Sequence, residues 1–269
     1  MAVTKKELMI LTQARIANLI KYRFLLREFV ERDIKTRYRR SVLGLLWTLL
    51  NPLLTTIVMT FVFSTLFRNS IQNFPVYLLA GLKIYNYYTE STNVAMNSII
   101  SGSNLIKKVY IPKYLFPLSK VISCLVNLVA SLIVLLLVML ATGVAITPAV
   151  LLIIFPIIYI FIFAFGMGLI LSTIALFFRD TIHFYNVITL MWMYLTPLFY
   201  PMEVMPSIVQ RIIMLNPLAN IIEYLRIITL YSAYPPFELN IICLVPGVIA
   251  VVLGLWVFYT MQDRFILRM

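Results

Sequence analysis

The chain has 269 residues, 62% of them hydrophobic and only 12% charged, with a mean hydropathy of +0.97. A soluble protein carries about a quarter charged residues, so this composition excludes a soluble globular domain and implies an integral membrane protein. The net charge of +12 is concentrated in residues 1–40, which hold eleven of the 22 basic residues and four acids directly beside an apolar run. That placement suits anionic lipid and the fixing of topology, not nucleic acid.

Taken in chain order, residues 1–41 form a basic cytoplasmic segment. It has no continuous apolar stretch, so no cleavable leader is expected. Residues 32–40 carry six charges, five of them basic, and run with only Ser41 between into apolar residues 42–67. A bilayer core of ~30 Å needs about 20 apolar residues in a helix. On that basis six spans are expected, at about 42–67, 74–100, 121–146, 150–178, 183–200 and 240–261, giving an all-α fold. The second is unusual in holding Lys83, Glu90 and many Tyr, Asn, Ser and Thr residues. Lys83 and Glu90 are the only charges within the expected spans, and at seven residues apart they are too distant along one helix to touch. Between the fifth and sixth spans, apolar pieces at 207–215 and 219–231 meet at Asn216–Pro217. Each is too short to cross, and Asn-Pro marks a turn, so residues 203–235 are expected to form a re-entrant helical hairpin in the outer leaflet. With both termini in the cytoplasm, the inner segments hold 18 basic residues against three in the outer ones, as the positive-inside rule requires.

Several chemistries find no residues to support them. None of the eight glycines precedes a lysine, so a phosphate-binding Walker loop is absent. No Cys/His/Asp cluster has metal-ligand spacing, and the single histidine, His183, reads as an interfacial residue. Cys124 and Cys243 lie in apolar runs and imply no disulfide. Paired carboxylates for a membrane-embedded transferase are also missing, so the chain reads as a conduit without its own engine.

Three stretches carry a family resemblance: "RDIKTRYRRSVLGLLWTLLNPL" (residues 32–53), "FFRDTIHFYNVITLMWMYLTPLFYP" (177–201) and "LNPLANIIEYLRIITL" (215–230). In this order and spacing they resemble permease subunits of bacterial ABC-2 type exporters for lipid-linked polysaccharides, of the O-antigen or teichoic-acid kind. The alternative within transport is an ABC-2 exporter of drugs or small hydrophobic molecules. The resemblance implies a homodimer in the bacterial cytoplasmic membrane, working with two copies of a separate ABC ATPase. ATP and Mg would bind that partner, with no cofactor on this chain.

It also implies an N-terminal helix lying along the cytoplasmic membrane surface. Residues 8–30 fit, with Leu11, Ile16, Leu19, Ile20, Phe24 and Leu26 interleaved among Arg15, Lys21, Arg23 and Arg27. Arg15, Lys21, Arg23, Arg37, Arg39 and Arg40 are then expected to meet lipid and substrate headgroups. The inner loop and the 179–180 corner are expected to meet the ATPase through Leu105, Lys107, Lys108, Tyr110, Arg179 and Asp180. Arg179 and Asp180 diverge by about 100° on a helix, so each is expected to find its own partner. A hydrophilic polymer needs a neutral, aromatic-lined conduit, for which Tyr85, Tyr88, Asn93, Tyr185, Trp192 and Tyr194 are the candidates.

Overall fold

A computed structural model describes residues 21–39, 43–67, 71 and 73–268, and every regular element among them is helical. In chain order these are α1 (Arg23–Tyr38), α2 (Trp47–Phe67), α3 (Phe74–Met96), the single turns α4 (Ser98–Ser101) and α5 (Ser103–Ile106), and α6 (Leu115–Ala141). There follow α7 (Ile154–Phe177), α8 (Thr181–Leu195), α9 (Ser207–Met214), α10 (Pro217–Thr229), α11 (Phe237–Met261) and α12 (Phe265–Arg268).

Among the described residues, three helices are long and apolar enough to cross a membrane: α6, α7 with the 3-10 turn before it (Pro148–Phe177), and α11 with the turn after it (Phe237–Arg264). The pair α9 and α10, bent by 90°, makes a fourth if it counts as one broken span. The helix α3 has 23 residues, but its polar residues hold its hydropathy down. Helix α6 starts six residues before the expected 121, because Pro117 falls in the first turn, where a missing N–H costs nothing, and Lys120 finds an acid.

The break between α9 and α10 falls at Asn216–Pro217. Pro217 opens α10, and the Asn216 side chain caps it by accepting the Leu218 N–H at 3.0 Å. The hairpin is anchored by Arg226, only 2% exposed. Its guanidinium lies 3.4 Å from the centroid of the Tyr77 ring and donates to the Pro197 carbonyl at 2.8 Å. Gly81 makes room for it, since a Cβ there would stand 2.9 Å from Arg226 Nη2.

Helix α3 sits at the centre, against α2, α6, α7 and α10, and is buried along most of its length. A polar helix can occupy that place because its hydroxyls, that of Tyr88 excepted, are partnered: Thr92 donates to the Tyr88 carbonyl at 2.7 Å, and Tyr87 to the Val121 carbonyl at 3.2 Å. Beside it, α7 and α11 make the closest helix pair. Gly166 meets the backbone of Ala250 and Val251, and Gly254 meets the Gly166 carbonyl, so that a Cβ at either position would fall at 2.4 or 2.6 Å from backbone. Elsewhere α2 and α11 present exposed Ile57, Val58, Phe61, Val248, Val252 and Trp256, a surface made for hydrocarbon. Cys124 and Cys243 are free and buried.

Candidate functional site

The described part of the basic segment is a docked helix. On α1, Phe29 is 5% exposed and packs on Phe116 at 5.3 Å, within a cluster that includes Ile106, Phe258 and Phe265. Polar contacts fix its rotation. Lys120 of α6 donates to Asp33 at 2.7 Å. Arg37 donates to Glu90 of α3, and Asn127 of α6 donates to both Glu90 oxygens at 3.0 and 3.3 Å. Burial alone would lower the pKa of Arg37, but the Glu90 charge and Cys124, 3.8 Å away, more than offset it and hold the guanidinium charged. One acid thus ties three helices together.

The other expected headgroup residues divide. Lys21, Arg23 and Arg39 are exposed, while Arg15 and Arg40 lie outside the described residues. On the outer side of α1, Glu31 accepts from Arg27 at 2.7 Å and from Lys35 at 3.4 Å. These hydrogen bonds hold its carboxyl below the usual range, but exposed pairs of this kind contribute little stability.

The acid Glu90 closes one end of a cavity of about 370 Å³ between α1, α2, α3 and α6. Its walls include Trp47, Asn51, Lys83, Asn86 and Asn127. Lys83 and Glu90 do not touch, as their spacing predicts, yet both face this space. Neither Phe29 nor the Arg37–Glu90 pair was apparent from the sequence. The available signal was charge: Glu90 is the lone acid in the expected spans, and an acid there needs a cation from somewhere.

The candidate conduit residues are placed differently from one another. Tyr85, Tyr88 and Tyr185 are buried inside the protomer and face protein, not open space. The Tyr88 ring stacks on Phe163 at 5.2 Å and meets Trp192 edge-on at 5.8 Å. Tyr85 donates to the Thr189 carbonyl, and Tyr185 to Thr92 at 2.8 Å. These rings dock α8 on α3. Asn93 is half-buried and Tyr194 is 63% exposed. Trp192 shares with Ile188, Met191, Leu195 and Ile213 an apolar groove of about 360 Å³.

The candidate coupling residues cluster at the other end. Ile99 and Ile106 bury the turns α4 and α5, and Gly102 lets the Phe116 ring approach, because a Cβ there would stand 2.5 Å away. This holds Leu105 half-buried and leaves Lys107, Lys108 and Tyr110 exposed, the last at 94%. Nearby, Lys113 donates to the Gln262 carbonyl at 2.6 Å, and burial pulls its pKa down against the attraction of Asp263. Arg179 and Asp180 are exposed at the corner between α7 and α8, with no ion pair among the described residues. Arg179 instead shares a small recess with Ile100, Ser103 and Arg268, which sets the corner beside the loop.

The family model for ABC-2 type transporters matches residues 25–230, from α1 into the turn after α10. The chain belongs to the ABC-2 type transporter family. Similarity to individual family members extends over most of its length. It is 32% identical over 241 residues to the O-antigen export system permease protein RfbA of Klebsiella pneumoniae, covering 87% of this chain and 90% of that one. It is 30% identical over 227 residues to the protein of the same name from Myxococcus xanthus, covering 83% and 86%. A more distant relative is the capsule polysaccharide export inner-membrane protein CtrC of Neisseria meningitidis, 22% identical over 200 residues, with 72% and 75% covered.

Proposed function

We propose that this chain is the permease subunit of an ATP-driven exporter that moves a lipid-linked polysaccharide across the bacterial cytoplasmic membrane. The observation that carries this is the near full-length similarity to permeases of O-antigen export, with a capsule polysaccharide exporter behind them. In this reading α2, α3, α6, α7, α8 and α11 are the six spans, both termini are cytoplasmic, and α9 and α10 are a re-entrant hairpin on the outer side. Two copies form the permease. Because Tyr85, Tyr88 and Tyr185 face protein, the glycan path runs between the copies, past exposed Tyr194 and half-buried Asn93. The test is export itself. Expressed with its ATPase and a lipid-linked glycan in a host lacking its own exporter, the chain should bring the glycan to the cell surface. Glycan retained inside, with both proteins present at normal levels, refutes the proposal.

ATP is bound and hydrolysed by a separate subunit that docks on the exposed loop at 107–110 and on the Arg179 corner. An exposed patch of Lys107, Lys108, Val109 and Tyr110 suits a protein interface better than open water. Single cysteines at 107, 108 and 110 should cross-link to the ATPase, whereas cysteines at exposed positions on α11 should not. Failure at all three loop positions would remove this docking assignment.

A further inference from the structure

The cavity between α1, α2, α3 and α6 contains a charge that the fold leaves unanswered. Lys83 is 7% exposed and lines the space, with no hydrogen bond or ion pair among the described residues. Its nearest acid along α3, Glu90, is about 10 Å away on a straight helix. That acid is already engaged by Arg37 and, through both oxygens, by Asn127. The Arg37–Glu90 pair cancels itself, so among the described residues the cavity has a net charge of one, held by Lys83. A buried ammonium without a counter-ion is strongly disfavoured, and an ionisable group inside a membrane span is a functional group by default.

We infer that this cavity binds a phosphate group, with Lys83 as its cation. The volume of about 370 Å³ falls in the range of small-molecule sites, roughly 300–1,000 Å³. Besides Lys83, the walls offer amide N–H donors from Asn51 and Asn86 and the indole of Trp47, with no second acid among the described residues. A lysine among neutral donors is a point-charge phosphate binder. The surroundings match a phosphate borne on a lipid. One turn beyond Asn51, α2 turns Leu54, Ile57 and Val58 outward, so an apolar chain can lie along α2 while its headgroup enters between the helices. The assignment to a lipid-borne substrate rests on the export reading above, but the site itself does not.

The experiment measures binding on the purified full-length permease, without transport. Native mass spectrometry would follow retention of three probes: farnesyl diphosphate, phosphatidylglycerol and inorganic pyrophosphate. Farnesyl diphosphate should be retained, tenfold or more weakly by Lys83→Met and nearly as in the parent by Lys83→Arg. Asn51→Leu, a change at an exposed wall position that spares the core, should also weaken retention. Preference for farnesyl diphosphate over pyrophosphate identifies a lipid-borne group, and equal retention identifies a free anion; both support the site, provided Lys83→Met loses them. Retention within twofold of the parent in Lys83→Met for every probe overturns the inference. So does loss of the parental oligomer in both Lys83 variants with binding unchanged in Asn51→Leu, which would assign Lys83 to assembly. Because glycan export is assayed separately in cells, an exporter with no phosphate at Lys83 and a phosphate-binding chain that exports no glycan give different results.

Discussion

Gly166→Leu will leave almost no folded permease in the membrane. Helices α7 and α11 touch backbone to backbone at this residue, and a Cβ would stand 2.4 Å from the Ala250 carbonyl carbon and the Val251 nitrogen. No side-chain rotation relieves that contact, so the helices must part along the seam that also holds Gly254 and Gly247. Overpacking of a well-packed core costs about 1–3 kcal/mol, occasionally more, and a clash with main chain belongs at or above the upper end. Gly247→Ala provides the contrast. Its Cβ would meet a side-chain atom of Ile162 at 3.2 Å and the Phe163 nitrogen at 3.3 Å, contacts that a small shift accommodates. Thermal unfolding in detergent should therefore rank the parent slightly above Gly247→Ala and both far above Gly166→Leu. Equal midpoints for all three would show that α7 and α11 do not pack at this distance.

Arg226→Ala will detach the α9–α10 hairpin while the rest of the protein stays folded. The substitution removes the guanidinium from the Tyr77 ring, worth about 2 kcal/mol when desolvated, and takes the main donor from the Pro197 carbonyl, at about 1–3 kcal/mol. It also empties the space that Gly81 keeps open. Removing a buried charge recovers some desolvation cost, so a net loss of about 3 kcal/mol is expected. Lysine will not substitute, because it has no planar fork to stack and donate at once. Limited proteolysis should show early cleavage between α10 and α11, near residues 231–236, in both Arg226→Ala and Arg226→Lys. A parental cleavage pattern in both would make Arg226 a bystander.

The helices themselves were legible because their signals are local. Each apolar run expected as a span contains a helix among the described residues, although the fifth ends at Leu195 rather than 200, and the Asn216–Pro217 break falls where the proline dictates it. What the sequence concealed is which face of each helix meets protein. Tyr85, Tyr88 and Tyr185 are attractive sugar-binding residues by type, yet they are spent docking α8 on α3. A helix rich in aromatics on several sides does not announce which side is covered; that depends on neighbours far along the chain. The same holds for Arg37. Its charge suggested lipid, and only the fold brings Glu90, 53 positions later, within reach. The exposure of the loop at 107–110 was easier to read, because Lys107, Lys108 and Tyr110 have no apolar periodicity to draw them inward.

The cluster around Phe29 sets the order in which the molecule can be completed. Phe29 comes early in the chain, and two rings of its cluster, Phe258 and Phe265, come near the end. A ribosome adding about 5–20 residues per second leaves α1 without this pocket for on the order of ten seconds or more while everything between is made and inserted. During that time the membrane surface can shelter Phe29, so the apolar face of the segment serves synthesis before it serves packing. Final docking of α1 thus reports that α11 has been inserted. A product cut short before α11 lacks the Phe258 and Phe265 part of the pocket, so its α1 is open to proteases that spare a finished subunit.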